Sequence, residues 1–83
     1  MPEPKSTHKL HLVGEHVSAA RMLLKMTQLE LATATGLSEW TILNFESGKQ
    51  VRPNTVEAIR KALTDRGIEF TNGGEPGVKL RRR

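Results

Sequence analysis

The sequence predicts a mainly α domain: four short helices followed by a short C-terminal β-hairpin or strand pair. Three observations predict it. Helical apolar spacing recurs in four stretches between Glu15 and Arg66, glycines at 36, 48 and 67 fall where three of them end, and beyond Gly67 the apolar period drops to two. Eighty-three residues make one domain, and a chain of this size buries only about 60–65% of its unfolded surface. Stability is therefore expected to be modest, and a partner subunit would add to it.

Met1–Thr7 (MPEPKST) holds two prolines and no apolar side chain able to anchor it, so residues 1–14 are expected to form an N-terminal arm that is partly disordered. Within that arm His8–Val13 (HKLHLV) alternates like a short strand, although six residues are equally compatible with a loop. From Glu15 to Lys25 the spacing turns helical, with Val17, Ala20 and Leu24 on one face and Ala19 and Leu23 beside them.

Thr27 and Glu30 form a capping-box pair that opens a second helix and satisfies two otherwise unpaired N–H groups reciprocally. Leu31 and Ala32 face inward, and Gly36 stands where a helix-ending residue must take positive φ, which glycine does at least cost. Ser38 caps a third helix that buries Ile42 and Phe45, with Leu37 just ahead of it and Gly48 at its end. After the connector Lys49–Pro53, Asn54 and Glu57 repeat the capping-box pattern, starting a fourth helix that runs to Arg66 and buries Val56, Ile59 and Leu63.

The helical domain is thus placed at residues 15–67, and residues 68–83 hold strands and a basic tail. Ile68 and Phe70 alternate with Glu69, Thr71–Gly77 is rich in turn formers, and Val78 and Leu80 alternate with Lys79 and Arg81.

Composition excludes several classes of function. Without cysteine there is no disulfide framework, thiolate nucleophile or Cys-type zinc site. No run of about 18 apolar residues is present, and Met1–Leu12 carries proline and histidine where a signal peptide would have an apolar core. The expected location is the cytoplasm, with no membrane partner. His8, His11 and His16 lack the fixed scaffold and companion carboxylates of a metal site. Ser47-Gly48-Lys49 lacks the upstream glycine and the following hydroxyl residue of a phosphate-binding loop, and no histidine lies in the helical core beside a serine. No enzyme activity, cofactor or metal is expected.

The formal charge of +4 and a pI near 10.0 favour a polyanionic partner. Lys49 and Arg52 follow the third helix, while Lys79, Arg81, Arg82 and Arg83 crowd the end of the chain. Around Thr27–Gly48 four constraints coincide: small Ala32 at a close helix crossing, Gly36 at the turn, Ile42 and Phe45 at packing positions, and Gly48 at the end. Together they define a helix-turn-helix, whose second helix carries readers of double-stranded DNA.

The ordered run TQLELA, TGLS, TI, FE and SGK, followed by RP and an amphipathic helix, resembles the Cro/C1-type (XRE-like) helix-turn-helix family of phage repressors and bacterial transcriptional regulators, over roughly Val17–Leu63. The ending VEAIRKALTDRGIEFTNGGEPGVKLR is similar to a bacterial subgroup in which a strand pair follows the last helix. The resemblance implies a lambda-repressor-like fold. It also implies that Glu39, Trp40, Thr41 and Asn44 read bases, and that Gln28, Ser38, Ser47, Lys49 and Arg52 contact the DNA backbone. Arg21 and Glu46 match a partly buried salt bridge between the first and third helices. Trp40 departs from the polar reader common at its position, and a lid on the edge of the core is its alternative role.

One recognition helix reads only a few base pairs, so a symmetric homodimer on an inverted-repeat operator is expected. Ile68, Phe70, Val78 and Leu80 are the first candidates for its interface, and outward Leu29 and Leu43 the second. The expected function is transcriptional regulation, by a repressor or controller. The rival is a protein-binding antiactivator or antitoxin-like module that keeps the fold and binds a regulatory protein.

Overall fold

The structure is a computed structural model and describes residues 12–71 and 77–81. His8, His11, most of the HKLHLV pattern, the turn at 72–76, Arg82 and Arg83 lie outside the described residues. Four helices and an antiparallel strand pair follow in order: α1 Gly14–Leu24, α2 Gln28–Thr35, α3 Glu39–Glu46, α4 Pro53–Asp65, β1 Ile68–Thr71 and β2 Gly77–Leu80.

The first helix begins one residue earlier than its apolar spacing suggests. The Val13 carbonyl already accepts from the N–H groups of His16 and Val17, and Leu12 and Val13 belong to no strand. At the other end Lys25, expected inside the helix, instead takes the left-handed conformation at φ 57° and ψ 46°, and its N–H caps Met22. That turn brings half-buried Met26 onto the core.

Thr27 and Glu30 complete the capping box at α2: Glu30 N–H donates to Thr27 Oγ1 at 3.0 Å, and Thr27 N–H to Glu30 Oε1 at 2.8 Å. Gly36 follows at φ 77°, so Leu37 N–H reaches back to the Ala32 carbonyl at 3.0 Å. Ser38 Oγ accepts from Thr41 N–H at 3.1 Å and caps α3.

The fourth helix corrects an expectation. Asn54 and Glu57 do not form a capping box, because Pro53 is the first helical residue and Arg52, held extended at ψ 150°, takes the N-cap. Proline at that position needs no N–H, and its fixed φ already suits a helix. Glu57 pairs with Arg60 on the exposed surface instead.

All four helices contribute to one core: Val17 and Ala20, Leu31 and Ala32, Ile42 and Phe45, then Ile59, Ala62 and Leu63. Val56 is half-buried against it. β1 packs on α4 and β2 on α1, with Ile68 opposite Leu80 and Phe70 opposite Val78. Ile68 is 3% exposed, and Phe70, Val78 and Leu80 are half-buried against the same core. Of the four residues expected at a dimer interface, Ile68 is thus used within the chain, while Phe70, Val78 and Leu80 keep part of their surface exposed. The helices leave one side of their core open, and the strands close it.

Candidate nucleic-acid interface

α3 is fixed along one side and open along the other. Ile42 and Phe45 anchor it, and its C-terminal end rests against the start of α1 at Gly14. A Cβ on Gly14 would stand 2.0 Å from the Phe45 carbonyl oxygen and 2.9 Å from Glu46 Cα, so only glycine permits this approach.

Immediately beyond that contact Glu46 collects hydrogen bonds from two other helices. Its Oε2 accepts from Arg21 Nε at 2.6 Å, while Oε1 accepts from Arg21 Nη2 at 2.9 Å, Gln28 Nε2 at 3.0 Å and Ser18 Oγ at 3.2 Å. Arg21 Nη1 donates to the Met26 carbonyl at 2.9 Å, which ties the α1–α2 turn into the same cluster. Burial works to raise the Glu46 pKa, but the bonds from Arg21, Gln28 and Ser18 and the guanidinium charge outweigh it and hold the carboxyl below its ordinary value. The hydrogen bond to Glu46 in turn raises the Arg21 pKa against the effect of burial. One carboxylate thus fixes the relative placement of α1, α2 and α3.

The outward edge of α3 is unfastened. Glu39 and Trp40 are exposed, Trp40 at 69%, so the indole is not a lid on the core. Thr41 and Asn44 are half-buried. The Asn44 carboxamide has no hydrogen-bond partner among the described residues, whereas the Thr41 hydroxyl meets that of Ser38 at 3.0 Å. Ser47 is exposed, but its hydroxyl donates to the Leu43 carbonyl at 2.8 Å and so stabilises the helix end. Lys49 and Arg52 are exposed with unpaired side chains among the described residues.

Gln28 and Glu39, far apart in sequence, line one shallow cleft with Thr27 and Lys25. Lys25 was not singled out from sequence, and its position in a helical run concealed the turn that brings it there. Ser18 and the Gln28–Glu46 bond were also missed. Ser18 lies one helical turn before Arg21, and that spacing is the signal that could have found it.

A capped two-helix unit, fastened from behind and presenting a free polar and aromatic edge, defines a helix-turn-helix DNA-binding domain. A helix-turn-helix family model matches residues 17–64. The chain belongs to that family, the Cro/C1-type (XRE-like) helix-turn-helix proteins, and is a DNA-binding helix-turn-helix regulator. No helix among the described residues is long and apolar enough to cross a membrane.

Proposed function

We propose that the protein is a transcriptional repressor or controller that acts in the cytoplasm and binds an inverted-repeat operator as a homodimer, with α3 in the major groove. The observation that carries this reading is the unpartnered Asn44 carboxamide on a helix whose opposite side is locked by Ile42, Phe45 and Glu46. Asn44 reads adenine through paired hydrogen bonds, Glu39 accepts from cytosine N4, and Trp40 and Thr41 make the adjoining contacts. Gln28, Ser38, Lys49 and Arg52 hold the phosphates, and Ser47 does so when its hydroxyl leaves the helix.

Selection of bound duplexes from a random pool tests the proposal. A palindromic motif, bound with an affinity that falls steeply as salt rises, is expected. Failure to select any duplex at low salt would overturn it. A second reading, docking to a regulatory protein, is favoured by the exposed Trp40 and by the acidic Glu39 beside it. The same selection separates the two, since a module of that kind enriches no DNA sequence.

A further inference from the structure

α3 carries an apolar ridge that the core does not use. Trp40 is 69% exposed and Leu43 42%, while the buried side of the helix belongs to Ile42 and Phe45. Residues three apart on a helix are neighbours, with Cβ atoms about 5–6 Å apart. Trp40 and Leu43 therefore form one surface beside Asn44. Thr41 adds its methyl group to that edge, while its hydroxyl meets that of Ser38.

The charges of α3 narrow what such a surface can meet. Its sequence, EWTILNFE, contains no lysine or arginine, and its two charged residues are Glu39 and the internally bonded Glu46. Guanine is most often recognised by a bidentate arginine or lysine, adenine by asparagine or glutamine, and thymine by apolar contact with its 5-methyl group. The cations near this helix lie outside it, Lys49 and Arg52 beyond its end and Lys25 on the α1–α2 turn across the cleft from Glu39, where they suit phosphates.

We infer that Leu43 and Trp40 are specificity-determining residues that recognise the 5-methyl groups of thymine in the major groove. The half-site then contains an adenine read by Asn44, flanked by thymines, and no guanine contact made by α3. This inference rests on the placement of α3 proposed above and goes further by assigning Leu43 and the chemistry it reads.

The test begins from the selected duplex. Each thymine of a half-site is replaced in turn by deoxyuridine, which removes the methyl group and leaves every hydrogen-bonding edge in place. Affinity for the wild type is expected to fall about fourfold at one or two positions, the factor for burying one methylene-sized group. Leu43→Ala or Trp40→Ala should bind the thymine and deoxyuridine duplexes equally at its own position, while Leu43→Met keeps the preference. Unchanged thermal midpoints show that the variants are folded.

A selected motif that tolerates every deoxyuridine, or a Leu43→Ala and a Trp40→Ala variant that both keep the full preference, would overturn methyl reading while α3 remains the DNA-contacting helix. Affinity concentrated in guanines outside the C·G pair assigned to Glu39 would overturn it as well. If no duplex is selected, the placement of α3 fails and this inference fails with it.

Discussion

Arg21 and Glu46 meet as a fork, Nε to Oε2 at 2.6 Å and Nη2 to Oε1 at 2.9 Å, with only 15% and 6% of their side chains exposed. Paired geometry of this kind is the strong form of a charge-assisted hydrogen bond. Because the third guanidinium nitrogen holds the Met26 carbonyl, the pair couples the α1–α2 turn to the recognition helix rather than merely neutralising a charge.

Breaking this pair from one side leaves a largely buried charge without its counter-ion. Glu46→Ala, or Arg21→Met alone, is expected to lower stability by about 3–5 kcal/mol. The double variant Arg21→Met/Glu46→Leu should recover most of that loss, since no charge is then stranded. Urea unfolding measures both, and a single-variant loss below about 1 kcal/mol would place the pair with solvated surface bridges.

The same carboxylate predicts an acid dependence. Glu46 binds its proton at lower pH in the folded chain than in the unfolded chain, where the ordinary value is 4.5. Unfolding therefore takes up a proton below that value, so the stabilisation is complete above it and is lost as pH falls through the lower native value. Stability measured across this acid range should decline less steeply in Glu46→Gln than in the wild type. Glu57 is also held low, by its hydrogen bond from Arg60, but it is exposed and should contribute little to the slope. Parallel curves for wild type and Glu46→Gln would contradict this assignment.

Two glycines are expected to respond to alanine for different reasons. At Gly14 the obstacle is backbone, the Phe45 carbonyl and Glu46 Cα, so the helices must separate; a loss of about 3 kcal/mol is expected, at the upper end for overpacking. At Gly36 nothing lies within 4 Å, and the cost is that of left-handed backbone at φ 77°, about 1–2 kcal/mol. Thermal unfolding of both variants orders them. Gly14→Ala should also weaken DNA binding, because it shifts the end of α3.

These contrasts explain how much of the molecule can be read from its sequence. The Thr27–Glu30 box and the Gly36 turn are local, each decided by residues within one helical turn, and both are legible. The Asn54–Glu57 pattern was equally local yet misleading, because Pro53 starts the helix first. Gly14 was illegible, since its requirement comes from the backbone of a distant helix. The candidate site divides in the same way. The pairing of Arg21 with Glu46 followed from family resemblance, whereas the convergence of Ser18 and Gln28 on that carboxylate exists only once three helices have packed.

The strand pair belongs to the folding unit. Ile68 is buried among side chains of the helical core, so Ile68→Ala should lose about 2–5 kcal/mol, as for other large core residues cut to alanine. Denaturant unfolding should remain a single transition, with helix and hairpin lost together. An Ile68→Ala variant with wild-type stability would mean that the hairpin is an appendage.

The lone tryptophan offers a direct check on the exposed edge of α3. At 69% exposure the Trp40 indole supports little of the core, so Trp40→Ala should change stability by no more than about 0.5 kcal/mol, as surface substitutions do. In the free protein its emission should resemble that of a solvated indole and be readily quenched by iodide. Adding the selected duplex should shift the emission and shield the ring, because an indole in the major groove exchanges water for base edges. An indole that stays equally quenchable in saturating duplex would remove Trp40 from the interface, even if the protein binds DNA through the rest of α3.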